Sequence, residues 1–414
     1  MEGERESPRA NYNYRQCGRS ITMRSEEMTQ TVNERNECQV VLREILGKLL
    51  QNPQSKPTNK AYWREVTTRL ACCFADGNAK ELMTIQSWSE VARLISLSYA
   101  RLSQVPNRNK TREIQRVTVK PFVGDWGKTT LFRSLVKLWS DLEKYCSGFY
   151  LHGSLADGRI SEFSDCDTLI VIRNEVARSS ESLCELRQIL LSTGGMLRLH
   201  DPYQHHGHFV LAEMDLESYP ETFLPVAALS RSVVLGGNNI LSICPRNAEK
   251  EAVALLESMA KQIGLKARMV DQMSVKDYKN FLSYVMLTPA LVLGAEGKFV
   301  FKGDSFDIAR PRYTDEEWSV IEWATQQRAD WKLDCFYSKI VRRICCLFPT
   351  RALWILRYFD FLVSKARFFD RANRLPGYLT WDNSLRLKIE QFIKKSMAAQ
   401  SGALTSTAEK QGAC

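Results

Sequence analysis

The sequence predicts an α/β chain of the α+β kind, with one mixed-sheet domain set between a helical leader and a mainly helical C-terminal domain. Three observations carry that expectation. The stretch Gly148 to Ile172, GFYLHGSLADGRISEFSDCDTLIVI, holds two short apolar runs separated by turn residues, the pattern of two strands. Before it, Val40, Val41, Ile45, Leu46, Leu49 and Leu50 recur at helical spacing. After Ala248 the helical period takes over again.

Taken in order, residues 1–33 are polar, charged and aperiodic, and read as a disordered arm. The leader, 34–104, holds a helix from Glu37 to Gln51 stopped by Pro53 and Pro57, then helices over Ala61 to Ala75 and Ile85 to Leu102. A basic loop from Pro106 to Arg116 and a strand at Val117-Thr118-Val119 open the central domain, 105–240. Gly124 to Thr129 invites a phosphate-loop reading, but Phe122 stands where that motif needs its first glycine. Thr129 or Thr130 instead caps a helix running to Cys146.

Beyond the second apolar run, a helix spans Ser179 to Leu191 and ends at Thr193-Gly194-Gly195. Met196 to Leu199 reads as a strand, as do Phe209 to Leu216 and Val233 to Leu235. Helices over Ala248 to Ile263, Val275 to Met286 and Thr314 to Leu333 build the C-terminal domain, 241–396, with Thr314 and Glu317 forming a capping box. The polar tail, 397–414, reads as disordered.

At 414 residues the chain has room for two or three domains, and its net charge of +10 points to an anionic partner. The twelve cysteines include no CxxC pair, which excludes a zinc ribbon or a thioredoxin-type centre. Vicinal pairs such as Cys345-Cys346 fit small apolar residues of a reducing cytosol. The N-terminus has no hydrophobic signal core, and the longest apolar run, Phe281 to Ala295, is broken by Thr288-Pro289. A cytoplasmic protein with no membrane partner is expected.

The chemistry concentrates in Gly148 to Ile172. On a strand, Asp165 and Asp167 point the same way and Cys166 the other, leaving two carboxylates about 7 Å apart by backbone repeat. A hard divalent cation relieves their repulsion and keeps coordination sites for substrate phosphates. Upstream, Gly153 permits close backbone approach to a phosphate and Ser154 adds a hydroxyl. A plain surface turn between buried strands is the bland alternative. A glycosyltransferase metal site is a weaker rival, because there the apolar strand precedes the aspartates and here it follows them.

These residues resemble the nucleotidyltransferase superfamily related to DNA polymerase beta. The likeness rests on Leu151-His152-Gly153-Ser154, then Gly158, then Ser164-Asp165-Cys166-Asp167 leading into Thr168 to Ile172, over about 25 residues. It departs from the pattern at Asp157, where many members carry arginine, and Arg159 would have to replace that contact. The resemblance implies a nucleotidyltransferase-type sheet domain that moves a nucleoside monophosphate from a nucleoside triphosphate to a hydroxyl, releasing pyrophosphate. It implies Mg²⁺ (or Mn²⁺) held by Asp165 and Asp167, with Gly153, Ser154 and Ser164 on the nucleotide side. A third carboxylate is required on a later strand; Asp215 is the choice and Glu213 its substitute. The acceptor stays open among small molecules, proteins and RNA ends, as does the oligomeric state. The alternative is a non-catalytic nucleotide-binding protein that keeps the fold.

Two further features have competing readings. His205, His206 and His208 could hold zinc, or form a hydrogen-bonded loop beside the cleft. From Lys339 to Arg374, nine Lys and Arg interleave with Trp354, Tyr358, Phe359, Phe361, Phe368 and Phe369. That mix suits single-stranded nucleic acid, but aromatic residues at helical spacing also suit a core with a solvated arginine face, the reading preferred here.

Overall fold

One five-stranded sheet carries a separate apolar core on each face, and a third core lies among the C-terminal helices. The computed structural model describes residues 32–411 apart from 55, 58, 72–84, 105–112, 123–128, 205, 270–272, 333–335 and 367–381. Nearly all of the arm expected over 1–33, the glycine run 124–128, most of the basic loop and His205 therefore lie outside the described residues.

The leader forms α1 (Val32–Gln51), α2 (Lys60–Ala71) and α3 (Trp88–Gln104). Leu42, Ile45, Leu46 and Leu49 of α1 are fully buried, the apolar stripe that its 3.6-residue period predicts. They share a core with Phe149, Leu151, Ile170 and Ile172 of the sheet, so the leader is a structural half of the central domain. Arg187 closes the end of α1 by donating to the Leu49 carbonyl at 2.9 Å and to the Gln54 carbonyl at 3.1 Å.

Next come β1 (Gln115–Thr118), β2 (Lys120–Pro121) and α4 (Thr130–Leu142), whose N-cap Thr129 accepts from the Phe132 amide at 3.2 Å. The two apolar runs become β3 (Cys146–His152) and β4 (Asp167–Ile172), joined through α5 (Gly153–Ala156). They are followed by α6 (Asn174–Ala177), α7 (Ser180–Thr193), α8 (Gly195–His200) and β5 (Phe209–Ala212). A 3₁₀ turn over Glu213–Ser218 leads to β6 (Tyr219–Pro220), α9 (Val226–Leu229), β7 (Val233–Gly237), β8 (Ile240–Ile243) and β9 (Pro245–Arg246).

The sheet order is β2-β7-β3-β4-β5, with β3 antiparallel to both neighbours and β4 parallel to β5. Leu169 to Ile172 are all buried, as an interior strand covered on both faces requires. Leu169 and Val171 enter the core of the second face with Tyr150, Leu211 and Tyr219.

Three expectations fail here. Met196 to Leu199 is helix, within α8, and not a strand. A four-residue apolar run fits either state, and packing decided: a Cβ at Gly195 would lie 2.5 Å from that of Ala352. The strand expected to run to Leu216 stops at Ala212, because the Asp215 carboxylate accepts the Ala212 amide at 2.8 Å and winds the chain into the 3₁₀ turn. Strand structure also continues past residue 240, with β8 on β1 and β9 on β6.

The helical part consists of α10 (Glu249–Ala267), α11 (Val275–Ala295), α12 (Lys302–Ala309), α13 (Asp315–Ala329), α14 (Phe336–Leu347), α15 (Ala352–Ala366) and α16 (Asn383–Gln411). The Thr314–Glu317 capping box forms as expected. Of the tail expected to be disordered over 397–414, residues 397–411 continue α16 and 412–414 lie outside the described residues. Among the described residues no helix is long and apolar enough to cross a membrane, and the apolar run of α11 is core. Cys345 and Cys346 carry free thiols, as do Cys146, Cys166, Cys184 and Cys244, whereas Cys38 is disulfide-bonded.

Candidate metal centre

β3 ends at His152, which pairs in register with Asp167 at the start of β4. The chain must turn sharply there, and Gly153 does so at φ +75. A Cβ on Gly153 would lie 2.5 Å from Asp167 Oδ2, so glycine is required twice, by conformation and by proximity. Ser154 follows, its carbonyl accepting the Arg159 amide at 2.9 Å. Ser164 is buried and holds the turn before the aspartates, accepting the Ser161 amide at 3.1 Å on its hydroxyl. Gln204 then clamps the backbone between the aspartates: its Oε1 accepts the Cys166 amide at 2.9 Å and its Nε2 donates to the Cys166 carbonyl at 3.3 Å.

Asp165 and Asp167 converge with His206. The imidazole Nε2 lies 2.9 Å from Asp167 Oδ1 and 3.7 Å from Asp165 Oδ2, and the three donor atoms fall within 4.8 Å of one another. Side-chain exposures of 12% for Asp165, 22% for Asp167 and 28% for His206 leave the centre reachable from solvent. Two carboxylates and an imidazole at this spacing fit one divalent cation. Burial opposes the charge on His206, but the hydrogen bond and charge of Asp167 outweigh it and lift the imidazole to about 9. Burial likewise opposes the Asp167 anion, yet its bond to His206 holds the carboxyl below the usual range.

The helical part contributes cations. Lys279 of α11, fully buried, donates to Asp165 Oδ1 and to Asp201 Oδ2, the latter at 2.5 Å. Burial works against this ammonium, but the two aspartates outweigh it and raise its pKa. Burial pushes the Asp201 carboxyl up to about 7, even against Lys279. Lys302, at the start of α12, is half-buried and drawn down to about 8, by burial first and then by Arg328, while Asp167 and Asp165 hold it up. Arg328 of α13 feels the same two aspartates, and its guanidinium carbon lies 5.6 Å from the Phe163 ring. Arg159 pairs with Asp157 and sits 5.5 Å from the Phe301 ring.

The third carboxylate is a correction. Asp215 is buried at the opposite end of the sheet, where its Oδ2 accepts from the Ala212 amide at 2.8 Å and from the Tyr99 hydroxyl at 2.9 Å. Ala212 pairs with Ile172, five residues from Asp167, which at about 3.3 Å per residue puts Asp215 roughly 16 Å from the metal centre. Glu213 lies at that same end, accepting the Asn174 amide at 3.0 Å. Because β5 runs parallel to β4, the residues just before Phe209 reach the aspartates, and they include His206.

The three-histidine zinc site is not formed among the described residues. His208 Nδ1 is engaged by the Thr168 hydroxyl at 2.6 Å, and of the two described histidines in the group His206 is the one that reaches the carboxylates. Sequence reasoning did not find Lys279, Lys302, Arg328 or Asp201. In the basic segment the aromatic residues expected to be core divide: Trp354 and Tyr358 are each 63% exposed, Phe359 packs partly buried against a core built by Val341, Cys345, Ala352 and Leu356, and Phe368 and Phe369 lie outside the described residues. No family model matches the chain, and no curated protein matches it.

Proposed function

We propose that the chain is a metal-dependent nucleotidyltransferase that moves a nucleoside monophosphate from a nucleoside triphosphate to a hydroxyl acceptor and releases pyrophosphate. The observation that supports it most is the convergence at one point of Asp165, Asp167 and the close-packed Gly153, with the charges of Lys302 and Arg328 near enough to feel the same carboxylates. In this reaction the acceptor oxygen bonds the α-phosphorus. The bond from that phosphorus to the bridging oxygen breaks, its electron pair leaves with pyrophosphate, and the acceptor proton goes to solvent.

A bound Mg²⁺ or Mn²⁺ supplies Lewis acidity at the phosphate and acceptor oxygens. Lys279 fixes the rotamer of Asp165 through Oδ1 and leaves Oδ2 turned toward His206. Lys302 and Arg328 suit the β- and γ-phosphates, since both are cationic and, among the described residues, neither is hydrogen-bonded to a carboxylate. The bare Cα of Gly153 lets a phosphate approach the backbone, and Ser154 adds a hydroxyl beside it. The acceptor is a hydroxyl on a small molecule, a protein or an RNA end.

One observation favours a second reading. Lys279 on Asp165 and His206 on Asp167 already balance both carboxylates, which suits a non-catalytic nucleotide-binding protein that keeps the fold. A transfer assay with four α-labelled nucleoside triphosphates, Mg²⁺ or Mn²⁺, and a range of hydroxyl acceptors separates the two. Label transfer or pyrophosphate release that disappears in the Asp165→Asn, Asp167→Asn double variant supports the enzyme. Metal-independent nucleotide binding without transfer supports the second reading.

A further inference from the structure

We propose that Arg43 and Arg246 form a binding site for a small oxyanion, a phosphate or a carboxylate, at the end of the sheet away from the metal centre. Arg43 comes from α1 and Arg246 from β9, and Glu251 of α10 lies beside both. Both arginines are more than nine-tenths buried, at 8% and 6% exposure. Arg43 feels the like charge of Arg246 and the charge of Asp215, which stands past the far end of β5. Yet Nε and Nη1 of Arg43, and Nε and Nη2 of Arg246, have no hydrogen-bond partner among the described residues. Four N–H donors on two neighbouring cations, held out of water, need an acceptor.

The neighbouring carboxylates do not supply it. Glu251 lies 2.5 Å from Arg246 Nη1 through Oε1 and accepts from the Thr222 hydroxyl at 3.2 Å on Oε2. Asp215 Oδ2 accepts from the Ala212 amide and the Tyr99 hydroxyl. Glu221 turns its Oε1 to the Val226 amide at 3.3 Å. Burial acts first on Arg43 and lowers its pKa, and the charges of Asp215, Tyr99 and Glu251 do not offset it. Water would fill the donors without relieving the repulsion between the two guanidiniums. A small anion does both.

The donor set names the class of ligand. Nε and Nη2 of Arg246 are the side-on pair of the guanidinium fork, which matches two oxygens of one carboxylate or phosphate. Arg43 adds Nε and Nη1, and its guanidinium carbon lies 5.4 Å from the Phe223 ring. Burial of both arginines restricts the ligand to a small one, and the partly exposed residues Glu221, Thr222 and Phe223 leave a way in. An anion there would tie the leader to the first helix of the C-terminal part.

The test is calorimetric titration of the chelator-treated full chain with inorganic phosphate and, separately, with acetate, at an ionic strength held by sodium chloride. Arg43→Met and Arg43→Lys are titrated in parallel. The metal centre is the same in all three proteins, so phosphate bound there drops out of the comparison. At least one of the two anions should bind the parent, weaken at least tenfold in Arg43→Met and at least threefold in Arg43→Lys, and raise the melting temperature of the parent only. Phosphate binding points to a phosphate source and acetate binding to a carboxylate source. Circular dichroism verifies folding, and if Arg43→Met does not fold, Arg43→Lys carries the comparison. Neither anion bound beyond the chloride background, or equal binding in the parent and the folded variants, overturns the proposal and leaves these donors to water. None of these readouts requires nucleotide transfer, so the two proposals fail separately.

Discussion

Lys279 Nζ donates both to Asp165 Oδ1 and to Asp201 Oδ2, so one ammonium from α11 ties the helical C-terminal part to the carboxylate that introduces β4. Lysine and Asp201 are both fully buried, and such a group is tolerable only while its partners remain. Lys279→Met should therefore leave two carboxylates without their cation and cost about 3–5 kcal/mol. Urea denaturation at pH 7.5 measures this directly. A loss below about 1 kcal/mol would show that the bridge does little for the fold.

Gly153 and Asp167 form the next constraint. Gly153→Ala puts a side chain on a residue at φ +75 and aims its Cβ at Asp167 Oδ2. Strain of that backbone kind costs about 1–3 kcal/mol, and relief requires the carboxylate to move. Divalent-cation affinity should fall at least tenfold along with stability. Gly264, inside α10 with nothing near its missing Cβ, is the contrast. Gly264→Ala should raise stability by about 0.5–1 kcal/mol and leave cation binding alone. Equal effects at the two sites would refute the steric argument.

Asp167 and Asp215 should separate function from stability. Asp167→Asn removes one of three donor atoms and should abolish cation binding with little loss of stability. Asp215→Asn exchanges a charged acceptor shared by the Ala212 amide and the Tyr99 hydroxyl for a neutral one, at a cost of about 1–3 kcal/mol. Its cation binding should match the parent's. Paired calorimetric titrations and denaturation curves test this, and weaker cation binding in Asp215→Asn would return that residue to the metal centre.

The pair β3 and β4 was legible because two uninterrupted apolar runs flank turn residues, a pattern that few other arrangements produce. Thr129 and Thr314 were legible for a local reason too, since a cap is decided within four residues. His206 was not. Three histidines within four residues look alike in sequence, and the parallel register Leu169↔Phe209 brings His206 rather than His208 to the aspartates. Asp215 misled because alternation continued on paper past Ala212, while its own carboxylate was ending the strand. Lys302 and Arg328 sit on separate helices and are joined to the centre only by tertiary packing, which no local period encodes. Trp354 and Tyr358 kept the helical spacing of core residues yet face outward, because spacing fixes a stripe and not its direction.

Buried imidazoles should make the fold acid-sensitive. Burial pulls His152 down to about 4, and does the same to His208. A folded pKa below the ordinary 6.5 means that the unfolded chain takes up the proton first as pH falls. Each neutral imidazole therefore contributes stability that is complete above about pH 6.5 and is lost between there and about pH 4. At pH 5 the loss is about 2 kcal/mol for each such histidine. Asp201, raised to about 7, works the other way in this window, so the informative quantity is the difference between variant and parent. His152→Phe keeps a ring against Phe209, now 5.0 Å away and edge-on, and removes one titration. Denaturation at pH 7 and pH 5 should show the variant losing about 2 kcal/mol less than the parent. Identical losses in the two proteins would mean that His152 does not carry the acid response.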